Sequence, residues 1–210
     1  MEEVTRPSKG KLIWQTLVLF AMLIGLPAVS WWYLKGGLDY RLEAMDEIKP
    51  LGAMEALPFP TIDGVSPAVA GNILLISYLQ ESQIEIAGTR LDKIHQQFTE
   101  RPDFLMLQMA AQDSTTLQQW LQTYQLDDAQ QCYWFSAPEE SLLPYFKQGL
   151  KTTDLSPGES FAVLVDTSGM VRRQYQLMDE TQVRRLIEHI ALILPREKEK
   201  ELVFKRQTEK

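Results

Sequence analysis

The side chains able to do covalent or metal chemistry are few: one cysteine, Cys132, two histidines, His95 and His189, and two carboxylates four residues apart, Glu81 and Glu85. A lone cysteine forms no disulfide within its own chain and runs no two-thiol redox cycle. Cys132 stands inside the apolar run Gln131 to Ala137 (QCYWFSA), not at a helix N-terminus beside a cation, where thiol pKa values fall. That setting predicts a small buried hydrophobe rather than a nucleophile. His95 and His189 flank apolar stripes of helical spacing, with no acid or thiol at metal-ligand spacing, which predicts boundary or surface positions. Met106 and Met109, three apart on a strand, point to opposite faces and do not build a methionine metal site. Glu81 and Glu85 suit acid–base work by spacing, but they suit favourable charge near a helix start equally well. The sequence contains no GxSxG, HExxH or phosphate-binding glycine loop. No cofactor is expected, and an enzyme has little to stand on.

The element that positions those carboxylates runs from Asn72 to Phe98. Ile73, Leu74, Leu75, Ile76 and Leu79 form a near-continuous apolar run, the pattern of a strand covered on both faces. Ala87, Leu91, Ile94 and Phe98 then recur at helical spacing. The end of such a strand is where α/β folds place their chemistry. Here it carries Gln80, Glu81, Ser82 and Gln83. Further strands are predicted at Phe104 to Ala111, Gln131 to Ala137 and Ser160 to Asp166, the last turning through Thr167-Ser168-Gly169 into a hairpin partner, MVRRQYQL. Asp113 or Ser114 caps a helix carrying Leu117, Trp120, Leu121 and Tyr124. PEESLLPYFKQGL reads as an irregular helix with Pro138 in its first turn. Asp179 with Gln182 resembles a capping box before the stripe Val183, Leu186, Ile187, Ile190, Ala191 and Leu194. LPFPTIDGVS, around Asp63-Gly64, reads as a hairpin signal.

The chain has 210 residues, a net charge of -7 and 45% hydrophobic composition, which fits one globular domain with appendages. An acidic balance argues against a nucleic-acid partner. Leu12 to Tyr33 contains no charged residue and is long enough as a helix to cross a bilayer core of about 30 Å. Trp14 at one end and Trp31, Trp32 and Tyr33 at the other suit the lipid boundary. Arg6, Lys9 and Lys11 precede the span, so the N-terminus is expected in the cytoplasm and the remainder outside it, on the periplasmic side in a bacterium. The run exceeds a usual signal core, which favours an uncleaved anchor over cleavage after Ala28-Val29-Ser30. The expected division is 1–11 cytoplasmic, 12–34 transmembrane, 35–56 a polar linker setting distance from the membrane, 57–195 the folded domain, and 196–210 a charged tail. Arg172, Arg173, Arg184 and Arg185 form two basic pairs, either a solvated surface or a docking face for an acidic partner or lipid headgroups. Trp120, Tyr124, Tyr133, Trp134, Tyr145 and Phe146 exceed what a core needs, so some are expected at an interface.

A βαβ unit, a crossing segment, a β-hairpin and a closing helix make the thioredoxin-type arrangement: an α/β fold with a central mixed sheet flanked by helices, here behind one N-terminal transmembrane helix. Within it, LPFPTIDG, RLDKIHQQF, FAVLVDTSGMVRRQY and DETQVRRLIEHIALIL together resemble the Sco/SenC group, membrane-anchored proteins associated with assembly of the copper site of cytochrome oxidase. That resemblance implies a CxxxC motif after the first core strand and a histidine before the late hairpin. The corresponding positions hold Gln80, Ile84 and Gly158, none of them a ligand for soft copper. It further implies that the loops Gln80 to Glu85 and Leu155 to Ser160 adjoin, forming a protein-binding surface of Gln80, Glu81, Ser82, Gln83, Glu85, Pro157 and Gly158, with Arg172 and Arg173. The expected role is a non-catalytic accessory or scaffold, with oxidase subunits or assembly factors as partners. Two alternatives stand beside it: a divergent thiol reductase or copper chaperone using Cys132, and a structural domain with no respiratory role.

Overall fold

A computed structural model describes residues 9–153 and 158–195. The chain divides into two units, one ending at Asp46 and one beginning at Glu47. In the first, helix α1 (Lys9–Phe20) passes through a π turn (Ala21–Gly25) into α2 (Leu26–Glu47). The stretch Ile13–Glu47 is long and apolar enough to cross a membrane by length and composition.

The expected polar linker is thus helical as far as Glu47, through Gly36 and Gly37. Each glycine costs a helix about 1 kcal/mol against alanine, but the ten residues after them are mostly good helix formers and carry the helix onward. Its remainder also has a structural role, since β1 (Gly52–Ala53) pairs antiparallel with the last strand and closes one edge of the sheet.

The second unit is built on a six-stranded mixed sheet of order β1-β6-β5-β2-β3-β4. The other strands are β2 (Ile73–Leu79), β3 (Phe104–Ala110), β4 (Cys132–Ser136), β5 (Phe161–Val165) and β6 (Met170–Gln176). β2, β3 and β4 run parallel, and β5 and β6 return antiparallel. All seven residues of both β2 and β3 are buried, as their near-continuous apolar runs predict, and the polar Ser77 and Gln108 are buried with them.

Helices α3 (Ile84–Phe98), α4 (Ser114–Thr123) and α6 (Glu180–Ile193) bring their stripes to one face of the sheet, where Leu75, Leu91, Met106 and Leu186 are fully buried. Each such side chain contributes about 1.5–3 kcal/mol. The other face is covered by α5 (Glu139–Pro144), its continuing π turn (Tyr145–Gly149) and the segment around Phe59. It is rich in aromatics: Phe146 packs edge-on against Phe161 at 4.9 Å between ring centres, and Tyr145 against Phe59 at 5.5 Å. Met106 and Met109 fall on opposite faces, as expected.

The aromatics expected at an interface are mostly core. Trp120, Trp134, Tyr145 and Phe146 are buried, and Tyr124 and Tyr133 are half-buried, because two covered faces need more large side chains than one. The hairpin expected around Asp63-Gly64 is absent. Thr61 instead bridges to Phe135 and the Ile62 N–H donates to the Trp134 carbonyl at 2.9 Å, so the segment lies along the outer edge of β4. Asp63 accepts from the Val65 N–H at 3.0 Å, which makes the local turn that suggested a hairpin.

The caps follow the sequence closely. Asp113 accepts from the N–H groups of Thr115 and Thr116, and Asp179 from those of Thr181 and Gln182. The box at Asp179 stays open, because Gln182 Oε1 accepts from the Gln176 N–H instead, at 2.9 Å. Gly88 has a packing role: a Cβ there would lie 2.6 Å from the Tyr124 ring, so only a bare Cα lets α3 approach the end of α4.

Candidate functional site

The parallel strands β2, β3 and β4 end at Leu79, Ala110 and Ser136, and the residues that follow them gather at one end of the sheet. Gln80 leaves β2 in an extended conformation, and a short 3-10 turn over Glu81–Gln83 leads into α3. The junction is sewn to the start of β5 by two hydrogen bonds. The Gln80 N–H donates to Ser160 Oγ at 3.0 Å, and the Ser160 N–H donates to Gln83 Oε1 at 2.7 Å. The expected adjacency of the two loops therefore holds at Ser160, which is fully buried. Pro157 lies outside the described residues. Gly158 is exposed, with a φ of +82° that favours glycine.

A second set of contacts, not foreseen from the sequence, completes the junction. Gln80 Nε2 donates to Tyr78 Oη at 2.6 Å, and the Tyr78 hydroxyl donates to Glu139 Oε1 at 3.0 Å. Burial, reinforced by the Glu139 carboxylate, pushes the Tyr78 phenol upward, so it remains a proton donor at neutral pH. Gln112 Nε2 donates to Glu81 at 3.1 Å, while Ser136 Oγ donates to the Gln112 carbonyl at 2.6 Å. The signal for Gln112, Ser136 and Glu139 was their place at or just after the ends of the parallel strands, which only the strand order makes a common place.

Ser82 and Glu85 are exposed around this network, and Ile84 turns toward the core. The acids Glu81 and Glu85 belong to a start of α3 whose backbone N–H groups favour negative charge. The chemistry on offer is hydrogen bonding by neutral amides and hydroxyls beside carboxylates.

The positions that the Sco resemblance would give to copper ligands do not fit the ion. Gln80 is committed to Tyr78, Ile84 is hydrocarbon, and Gly158 has no side chain. Among the described residues, no three histidine, cysteine or acidic side chains gather as a metal site. Cys132 is buried on β4, with its thiol pushed up to about 12 by burial and by the carboxylates of Asp128 and Asp127. A thiol so held is a poor nucleophile.

Arg172 and Arg173 do not join the junction. Arg173 pairs with Leu164, which pairs with Leu75, five residues before Gln80 and so roughly 16 Å back along the sheet. Both are held by acids there. Arg172 bonds to Asp166, and Arg173 Nη1 donates to Glu47 at 2.6 Å. Arg185 likewise bonds to Glu47 and Glu188, leaving Arg184, paired with Glu180, as the more solvated of the four.

The histidines are also placed differently from expectation. His189 is fully buried, with its Nδ1 2.6 Å from Tyr175 Oη. A hydroxyl partner on β6 lets the ring enter the face of α6 that also carries Leu186 and Ile190. Burial, with Arg185 and Arg173 nearby, lowers its pKa to about 4. His95 is buried apart from its edge, and its Nε2 lies 3.3 Å from Asp128 Oδ2.

No family model matches the sequence, and no curated protein matches it. Solved structures do. The chain is similar to BsSco, a member of the Sco family of cytochrome c oxidase assembly proteins, with a TM-score of 0.55 at 15% identity over 70% of this chain and 97% of that one. It is similar to a SCO1/SenC family lipoprotein from Bacillus anthracis, with a TM-score of 0.56 at 14% identity over 70% and 98%. A thioredoxin family thiol:disulfide interchange protein from Chlorobium tepidum gives 0.53 at 14% identity, again over 70% and 98%. At such identities the likeness speaks for the fold: this chain carries a thioredoxin-like domain, of the architecture also found in Sco proteins.

Proposed function

We propose that the chain is a membrane-anchored, Sco-like accessory protein that acts in respiratory oxidase assembly by binding other proteins, without thiol or copper chemistry of its own. The observation that carries this reading is the junction after β2. Where the resemblance would place a reactive pair, at Gln80 and Ile84, the Gln80 amide is hydrogen-bonded to Tyr78 and Ile84 packs against the core, while Gln83 between them accepts from Ser160. The single cysteine is buried elsewhere with a raised pKa. The apolar helix through Ile13–Glu47 supports the anchor, and the assembly role of BsSco supports the respiratory assignment. The exposed rim of Glu81, Ser82 and Glu85, with Gly158 across from it, is the contact surface.

The deciding experiment is purification of the tagged full chain from its native membranes. Oxidase subunits or their assembly factors are expected to accompany it, and to be lost when Glu81 and Glu85 are both replaced by lysine. Recovery without any oxidase component removes the respiratory assignment. Titration of the same preparation with Cu(I) is expected to show no stoichiometric uptake, and uptake that disappears in Cys132→Ser would overturn the non-metal reading.

A further inference from the structure

We propose that the groove along the β6 edge binds a phosphate group, a property separate from the protein-binding reading of the β2 junction. The groove has a volume of about 360 Å³ and is lined by Lys49, Lys151, Arg172 and Arg173 against one carboxylate, Glu47. Four cations meeting in one concave site are an exception in a chain of net charge -7. A cleft lined by one sign of charge concentrates counter-ions beyond what its separate charges would.

Two irregularities of the backbone produce this convergence. Consecutive residues of a regular strand point to opposite faces, yet Arg172 and Arg173 line the same groove. The register of β5 with β6 explains it: Val165 pairs with Val171 and Leu164 with Arg173, so Arg172 is the extra residue of a bulge. Bulges at sheet edges re-aim side chains in this way. Across the groove, Lys151 has a φ of +54°, a left-handed conformation uncommon for any residue that carries a Cβ. Its stem packs closely over Gly52 of β1, where a Cβ would lie 3.3 Å from the Lys151 Cγ.

The cations are oriented by bonds that leave donors over. Arg172 uses Nε and Nη2 on Asp166 and Nη1 on the Ile48 carbonyl, and Arg173 uses Nη1 on Glu47. Lys151 Nζ bonds to Glu55 and the Gln148 carbonyl. A guanidinium has five N–H donors, so both arginines retain some, and planar N–H pairs match phosphate oxygens. Gln174, Gln176 and Gln182 line the same groove as neutral polar groups. The ligand class is therefore a phosphate group, either of a free ester or of the headgroup of an anionic lipid.

The test uses the full chain in phosphatidylcholine nanodiscs at physiological ionic strength, titrated calorimetrically with inorganic phosphate and with glycerol 3-phosphate. Saturable binding of both is expected. It should weaken at least about tenfold in the double variant Lys151→Gln, Arg173→Gln. Should that variant fail to fold, Lys49→Gln and Lys151→Gln together make the same test away from the Glu47 pair. Absence of saturable binding, or binding equal in parent and folded variants, overturns the proposal. Repeating the titration in discs rich in phosphatidylglycerol identifies the source: loss of the phosphate signal assigns the groove to a lipid headgroup, and an unchanged signal assigns it to a free ester. Neither result bears on whether oxidase components bind at Glu81 and Glu85, so the two proposals fail independently.

Discussion

The end of β2 and the edge of β6 are both polar, and they are polar in opposite ways. At the end of β2 the groups are mainly neutral amides and hydroxyls that satisfy one another, with Gln80, Gln83, Tyr78 and Ser160 closed into a network. At the edge of β6 they are charges, gathered in one groove and oriented by acids. A thioredoxin-like sheet with glutamines rather than cysteines after β2 thus has a stitched rim at one place and a field at another. Stitching favours a fixed surface for a protein partner, whereas a field favours a small charged ligand.

That contrast breaks most sharply at Asp166, which holds the β6 side together. Its carboxylate accepts from Ser168, the Met170 N–H and Arg172, and it is buried. Asp166→Ala is expected to cost about 3–5 kcal/mol by stranding the Arg172 charge, read from denaturant unfolding of the full chain in detergent. Burial alone would raise its pKa, but the bonds from Ser168, Met170 and Arg172 outweigh burial and hold it below the ordinary 3.8. A depressed carboxyl contributes stability above the pKa of the unfolded chain and loses it as pH falls through the folded value. The parent should therefore lose stability below about pH 4 more steeply than Asp166→Asn does.

A smaller effect, of opposite origin, belongs to His189. Its folded pKa of about 4 lies below the ordinary 6.5, so the unfolded chain takes up the proton first as pH falls. Stability is complete above 6.5 and declines between 6.5 and 4, by something on the order of 2–3 kcal/mol. His189→Gln should flatten that decline, and a slope unchanged in the variant would show that the ring is not held neutral. At the β2 junction the bonds made by Ser160 join a hydroxyl, an amide and backbone N–H groups, which carry no charge. There, Ser160→Ala removes the acceptor of the Gln80 N–H and should cost about 1–2 kcal/mol at any pH, with no change in slope. A pH-dependent loss in Ser160→Ala would erase the distinction between the two regions.

Much of the fold was legible in the sequence because it is written in local periods. The runs at Ile73 to Leu79 and Phe104 to Ala111, and the stripe from Val183 to Leu194 behind its Asp179 cap, became β2, β3 and α6 within a residue. What was not legible depends on contacts far apart in the chain. The Asp63-Gly64 turn looked like a hairpin because its partner on β4 is 74 residues from Thr61, at Phe135. His189 looked like a boundary residue because its partner Tyr175 lies on a different element. At the candidate site, Gln80 to Gln83 were visible from the end of an apolar strand. Tyr78 and Glu139 were not, since a tyrosine inside a buried run reads only as packing.

The bare Cα of Gly88, four residues into α3, has a mechanical consequence. The Tyr124 ring sits where a side chain of residue 88 would otherwise be, so α3 is keyed to the end of α4. A key of this kind resists rotation about the helix axis better than a smooth contact does, because the ring must leave its seat before the helix can turn. The rim at Glu81 to Glu85 is the free end of that keyed shaft, and a partner gripping it would load both helices at once.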